Sequence, residues 1–490
     1  MSNLILVIDE GTTSTRVMLF DEQGVIHKMA QKEIKQHYPK AGWVEHDAQE
    51  IWEKTLACAR QVLSEITERE QVICIGITNQ RETVVAWDKK TGTPLCPAIV
   101  WQDRRTSSFC EKLVAEGHEG EIKKRTGLVL DPYFAGTKMR WMLDNIPEVA
   151  DAQKRGTLRF GTIDSWLVYK LSGGQHVSDA SNASRTMLCA LDGLQFDDGL
   201  CDLLGVPLSS LPTIVDSAGK LGSAKAEWFG REIPITGISG DQQAAAIGQG
   251  CLLPGQTKST YGTGAFVIST TGNNIPLSNN GLLGTVLLQL AGHRTYALEG
   301  SIFVAGSLVQ WLRDSLGLID DSSDTEALAK SVKDNGGVTI VPALSGLGAP
   351  HWRPDAQGII NGISFSTGKA EIARAALEAM SYQTNDLAKA FASDGFQWTS
   401  LRIDGGMSAN NWMAQDLADI LGITVERPNS VETTALGAAM LAATGAGIYP
   451  SLTEAVNIMG NELKTFTPSM DSQVRNDRIA SWERALSQVL

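Results

Sequence analysis

Asp9, Thr12, Thr13 and Ser14 stand almost side by side in LILVIDEGTTSTRVMLF (residues 4–20), with Arg16 just beyond them. A near-continuous apolar run ends at Asp9, a polar Gly-Thr-Thr-Ser turn follows, and a second apolar run begins after Arg16. The pattern predicts strand, turn, strand. Gly11 lets backbone come close to a ligand, and hydroxyls beside free turn N–H groups suit phosphate oxygens, with neither a helix nor a Walker lysine. Asp9, at the strand end, suits a hydrated Mg²⁺. A hairpin with a hydroxyl-rich turn is the plainer reading.

A second turn of the same kind, Gly262-Thr263-Gly264, lies between apolar runs in QTKSTYGTGAFVISTTGN (256–273). Nothing matches GxxxxGK[ST], and the protein-kinase motif set is absent. Two Gly-Thr turns in opposite halves of the chain point to a nucleotide held in a cleft between domains. Asp404-Gly405-Gly406 follows a further apolar run, and Asn410 stands early in the next helical pattern. Asn410 suits a purine or ribose, or simply caps that helix.

In ITGISGDQQAAAIGQG (235–250), Asp241 opens an Ala-rich helix, with Gln242 and Gln243 directly after it. Asp is a favoured N-cap, but a carboxylate at a cleft mouth also accepts a hydroxyl proton; both readings stand. Asn79-Gln80-Arg81-Glu82-Thr83 puts donors and an acceptor between two apolar runs, which a polyol needs and a solvated strand crossing also permits. Trp101, Tyr133, Trp166 and Phe266 lie near other strand ends, where each serves either a C–H backbone or the core.

These side chains need rigid strands behind them. Strand-sized apolar runs alternate with helical patterns along the chain, which predicts an α/β protein. Residues 48–66 have helical spacing, with Ile51, Leu56, Val62, Leu63 and Ile66 near one face, as in a crossover helix. Strand, Gly/Thr turn and strand, then a long helix over 371–392, then strand, Gly-Gly turn, helix and strand over 401–428 repeat the opening grammar and suggest duplication. At 490 residues two domains are expected, 1–250 and 251–490, with a hinge near 247–256 around Pro254-Gly255. A net charge of −13 argues against nucleic-acid partners and anionic membranes, and no apolar run reaches membrane-spanning length. Seven scattered cysteines without CxxC predict neither disulfides nor zinc, and with no signal-peptide pattern at the N-terminus the expected compartment is the cytoplasm.

In order along the chain, DEGTTSTR (9–16), GWVEHD (42–47), ITNQRET (77–83), IVWQDRRT (99–106), TGLVLDPYFAGTK (126–138), NASRTML (182–188), SGDQQAA (239–245), YGTGAF (261–266), ALEGSIF (297–303), PALSGLGAPHW (342–352) and DGGMSANN (404–411) resemble the glycerol kinases within the FGGY carbohydrate kinases. The resemblance implies two actin-like (ribonuclease H-like) domains flanking a deep cleft, with ATP and Mg²⁺ as cofactors and glycerol as acceptor. It implies that Asp241 is the catalytic base and that Arg81, Glu82, Trp101, Tyr133, Asp241, Gln242 and Phe266 bind glycerol. Thr12, Thr13, Ser14, Arg16, Thr263, Gly306, Gly406 and Asn410 would then line the nucleotide site and Asp9 the metal. A homo-oligomer, dimer or tetramer, is implied as well. Another polyol or sugar kinase, or an actin-like or chaperone-type ATPase, is the alternative. Glu10 stands where many of these kinases have Gln, and is expected to add negative charge near the phosphates. Residues 223–237 lack both a glycine-rich effector run and any His, so control by fructose 1,6-bisphosphate or by histidine phosphorylation is not expected.

Overall fold

The computed structural model describes residues 2–67, 70–430 and 432–490. Its frame is two mixed sheets of matching order. In the first, Ile26–Glu33, Ser14–Asp21 and Ser2–Glu10 form an antiparallel meander, and Glu70–Asn79 and Ile233–Gly240 then add in parallel. In the second, His293–Ile302, Ala265–Gly272 and Gln256–Tyr261 form the meander, and Ser400–Asp404 and Val425–Pro428 add in parallel. Edge strands extend both: Ala218–Ala224 on the first, Leu283–Leu290 and Leu463–Phe466 on the second. This repeated order is the actin-like, ribonuclease H-like fold, and it bears out the repeat legible in the sequence.

The local reasons are visible in the residues. Leu4 to Ile8 are covered on both faces, as a central strand with a parallel neighbour must be. Asp47 caps the helix Ala48–Ser64 by accepting from the N–H groups of Gln49 and Glu50. That helix buries Ile51, Trp52, Thr55, Cys58, Ala59 and Val62; Leu56 and Leu63 are only partly covered. The covered stripe is thus set a residue aside from the expected one, because Trp52 supplies the bulk that packs against Trp228. The long second-half helix runs Lys369–Ser393, and the 401–428 segment folds as strand, 3₁₀ turn, helix and strand.

Two features carry the site. An insertion between Glu70–Asn79 and Ile233–Gly240 brings Trp101, Tyr133 and Arg185 to the end of the first sheet, on a core that includes Phe134, Met139 and Met187 and reaches Leu283 and Val286 of the second. The helices Asp241–Gly248 and Thr433–Gly445 cross backbone to backbone between the sheets. Thr433–Gly445, although from the second half, lies on the first sheet: Ala435 to Ala443 share a core with Ile5, Val7 and Cys74. Ala246 and Ile247 of the other helix meet Ile268, Leu287 and Ala297 of the second.

Candidate active site

The ends of Ser2–Glu10, Glu70–Asn79 and Ile233–Gly240 converge on one polar cluster, which Glu299 of the second sheet completes. Gln80 to Glu82 leave the end of Glu70–Asn79, where the Gln80 N–H donates to the Glu10 carbonyl (2.7 Å) and its side-chain amide to the Gly11 carbonyl (3.0 Å). The segment is thereby pinned to the Gly11 turn. Arg81 is buried, with Nε 3.3 Å from Asp241 Oδ1, an ion pair to Glu299 and a 3.1 Å hydrogen bond donated to Gln243 Oε1. Arg185, fully buried, donates to Glu82 Oε1 at 2.6 Å and reaches Glu299 Oε2 at 3.3 Å. Two arginines and a glutamate of the first half therefore enclose one glutamate of the second. Burial pushes Glu299 up, but the two guanidinium groups pull harder and hold it below the usual carboxylate range.

Asp241 is the first residue of its helix. The cap is Gly240, and no side-chain cap bond forms there. The N-cap reading thus fails on geometry: the carboxylate faces Arg81 and accepts the Gln242 N–H at 2.7 Å. About a third of its side chain is exposed. Burial pushes its pKa up to about 6; Arg81 opposes this and Glu82 adds to it. A carboxylate mostly ionised at neutral pH, yet more basic than usual, is suited to taking a hydroxyl proton. Gln242 accepts from Lys258 Nζ at 2.5 Å, which fixes its amide beside the carboxylate.

Aromatic rings close one side. Trp101 donates its indole N–H to Thr12 Oγ1 at 2.9 Å and stands edge-on to Tyr133, ring centroids 5.7 Å apart. This aromatic wall is thereby tied to the first Gly-Thr turn. Register puts Phe266 opposite Ser301, on the sheet face that also carries Glu299 and Lys258.

The turns assemble separately. Gly11 N–H donates to the Ser14 carbonyl (3.0 Å), closing the first, with Thr13 exposed at its tip and its carbonyl held by the Ile34 N–H. Arg16 spans from Asp9 (2.5 Å) to Glu432 of the second half (2.7 Å). Gly262 and Thr263 give their carbonyls to the N–H groups of Gly306, and of Ala305 and Ser307. Gly306 meets Gly262 so closely that a Cβ there would lie 2.5 Å from the Gly262 carbonyl oxygen and 3.1 Å from Met407. The Thr263 turn, Gly306 and the Gly405-Gly406 turn therefore form one surface, with open space in front of Gly406. Asn410 caps its helix by accepting the Met413 N–H (3.0 Å) and donates to Thr325 (3.2 Å).

Glu10 corrects an expectation. Strand alternation turns it away from Asp9 into the core, where it is fully buried and hydrogen bonded with Thr55 Oγ1 at 2.9 Å. Burial raises its pKa from an ordinary 4.5 to about 8, so at neutral pH it adds no charge near the Gly11 turn. The folded chain holds a proton that the unfolded chain releases above about pH 4.5. Its contribution to stability is complete below that pH and is lost as pH rises through about 8. Glu10→Gln, neutral throughout, is expected to keep its activity and to gain stability relative to the parent between about pH 5 and pH 8.5. Melting temperatures at the two ends check this, and an unchanged difference overturns it.

Arg185, Gln243, Lys258 and Glu299 carry no role in the sequence reading, yet they complete the cluster. For Glu299 the available signal was a charge inside the apolar segment TYALEGSIF, since a charge there must be buried and paired.

Residues 4–248 match the FGGY family of carbohydrate kinases, N-terminal domain, and 257–446 its C-terminal domain. The chain is 51% identical to a glycerol kinase of Alcanivorax borkumensis over 99% of its own length and 98% of the relative's. A glycerol kinase of Dechloromonas aromatica is 50% identical over 99% and 97%. Among solved structures, Plasmodium falciparum glycerol kinase with ADP matches with a TM-score of 0.96 at 37% identity, covering 100% of this chain and 98% of that one. A gluconate kinase from Lactobacillus acidophilus, at 19% identity and a TM-score of 0.87, shares the fold.

Proposed function

The chain belongs to the FGGY family of carbohydrate kinases, and from that premise we propose that it transfers the γ-phosphoryl group of ATP to a terminal hydroxyl of glycerol, giving sn-glycerol 3-phosphate and ADP. The observation that carries this reading is the Arg81 guanidinium lying between the Asp241 and Glu299 carboxylates, with Glu82 beside it and the Trp101–Tyr133 pair closing the wall. It offers both donors and acceptors to a small polyol and an apolar edge to its carbons.

Arg81, Glu82 and Tyr133 bind hydroxyls, Trp101 and Phe266 pack on carbon, and Gln242 assists. Asp241 accepts the proton as the hydroxyl oxygen bonds to the γ-phosphorus and the bond to the ADP oxygen breaks. Such transfers depend mainly on positioning and charge neutralisation. Thr12, Thr13, Ser14, Arg16, Thr263, Gly306, Gly406 and Asn410 line the nucleotide site. Asp9 fits Mg²⁺: it is a carboxylate desolvated beside the phosphate turn, and Mg²⁺ takes one or two carboxylates besides phosphate oxygens. When bound, the ion neutralises phosphate charge. The domain division is 1–250 and 251–490, with Thr433–Gly445 exchanged onto the first sheet. The setting is cytoplasmic and the enzyme a homo-oligomer; among the described residues no helix is long and apolar enough to cross a membrane.

ADP release from MgATP is expected to rise strongly on adding glycerol and less on adding other polyols or sugars. Equal turnover without any polyol favours an actin-like ATPase and overturns this reading; a stronger response to another member of the panel reassigns the substrate.

A further inference from the structure

Lys138 is an amine sealed inside the protein. It lies on the helix Ala135–Asn145 with no solvent exposure. A buried ammonium is costly unless hydrogen bonds compensate it. Burial pushes its pKa down to about 7, against the upward pull of Glu82, Asp103 and Asp131. Its Nζ donates to two backbone carbonyls, of Glu82 at 3.2 Å and of Tyr133 at 2.5 Å. These come from separate loops, one leaving the first sheet and one leading into the helix that carries Lys138 itself.

The Glu82 peptide is a strained one. Its φ is +58°, a left-handed conformation that a residue with a side chain adopts only when its surroundings impose it. The surroundings here are two donors: Lys138 on the carbonyl and Arg185 on the carboxylate. Tyr133 is fixed the same way, its N–H donating to Asp131 at 2.8 Å and its carbonyl accepting from Lys138. Lys138 touches none of the groups assigned to the reacting atoms. It touches the backbone of two residues assigned to the acceptor.

We propose that Lys138 is a positioning residue that locks the Glu82 and Tyr133 peptides to each other and so sets the affinity for the polyol acceptor, leaving the nucleotide site untouched. The inference rests on the glycerol-kinase reading above and deepens it.

Lys138→Met keeps the stem and removes every donor; Lys138→Gln keeps an N–H donor on a shorter stem. Displacing binding groups by about an ångström is worth up to ~10²-fold, so the KM for glycerol is expected to rise ~10–100-fold in K138M, with K138Q between it and the wild type. The KM for MgATP stays near wild type in both, and calorimetric titration with glycerol alone shows the same ranking. A lowered melting temperature with both KM values unchanged, or a parallel rise in both, overturns the inference and leaves Lys138 as packing. If K138M does not fold, K138Q decides: an unchanged glycerol KM is the overturning result. Wild-type protein without glycerol-dependent turnover overturns the functional reading, and this inference with it; a glycerol-dependent wild type with unaffected variants overturns this inference alone.

Discussion

Asp241→Asn is expected to lower kcat by ~10²–10⁴-fold, the range for loss of a general base, while the protein folds and still binds glycerol. Folding survives because the cap position is Gly240 and the Asn amide oxygen can still accept the Gln242 N–H. Arg81 keeps Glu299 and Gln243 as partners, so no buried cation is stranded. Asn has the shape of Asp but does not take up a proton. The pH profile supplies a second signature. The Asp241 pKa is pushed up to about 6 and the active form is the carboxylate, so kcat/KM of the wild type climbs with pH and levels off above about 6. That acid limb should vanish in the variant. Near-normal kcat in a folded Asn variant, or an acid limb that survives, would remove Asp241 from the chemistry.

Legibility in the sequence followed locality. The Gly11 turn, the Gly262 turn and the polar run 79–83 were readable because each is a short polar break between apolar runs, and a strand end is where such a break must fall. The sheet grammar was readable for the same reason, since strand, turn and strand recur in both halves. Glu299 could be read as buried from its apolar neighbours, but its partners could not, because its two arginines lie more than a hundred residues away in sequence. Glu10 misled because its neighbour Asp9 faces the turn; alternation along the strand sends Glu10 to the other face, where burial rather than phosphate decides its charge. Lys138 stands within TGLVLDPYFAGTK, but nothing in the spacing shows that its amine ends on two carbonyls. The exchange of Thr433–Gly445 onto the first sheet was equally invisible, because an Ala-rich helix fits either sheet.

That exchanged helix carries the second large effect. It crosses Asp241–Gly248 at a point where both chains are glycine: a Cβ on Gly437 would lie 1.8 Å from the Ala244 carbonyl oxygen, and one on Gly248 would lie 2.0 Å from that of Thr433. Both obstacles are backbone, so the helices must part to admit a methyl group. Overpacking of this kind costs about 1–3 kcal/mol, occasionally more, and a rigid backbone obstacle puts Gly437→Ala at or above the upper end. The functional consequence is larger than the energetic one. Asp241 heads one of the crossing helices, and Glu432, the partner of Arg16, directly precedes the other. Parting the helices therefore shifts the base and the phosphate turn together, and kcat is expected to fall by ~10²-fold, as for an ångström-scale misplacement. Gly120→Ala, on an open helix with nothing within 4 Å of its added Cβ, is the control and should be slightly stabilising. Urea unfolding midpoints and steady-state kinetics on the two variants decide the matter: if Gly437→Ala unfolds and turns over like Gly120→Ala, the crossing is loose and the two halves are held in register by other contacts.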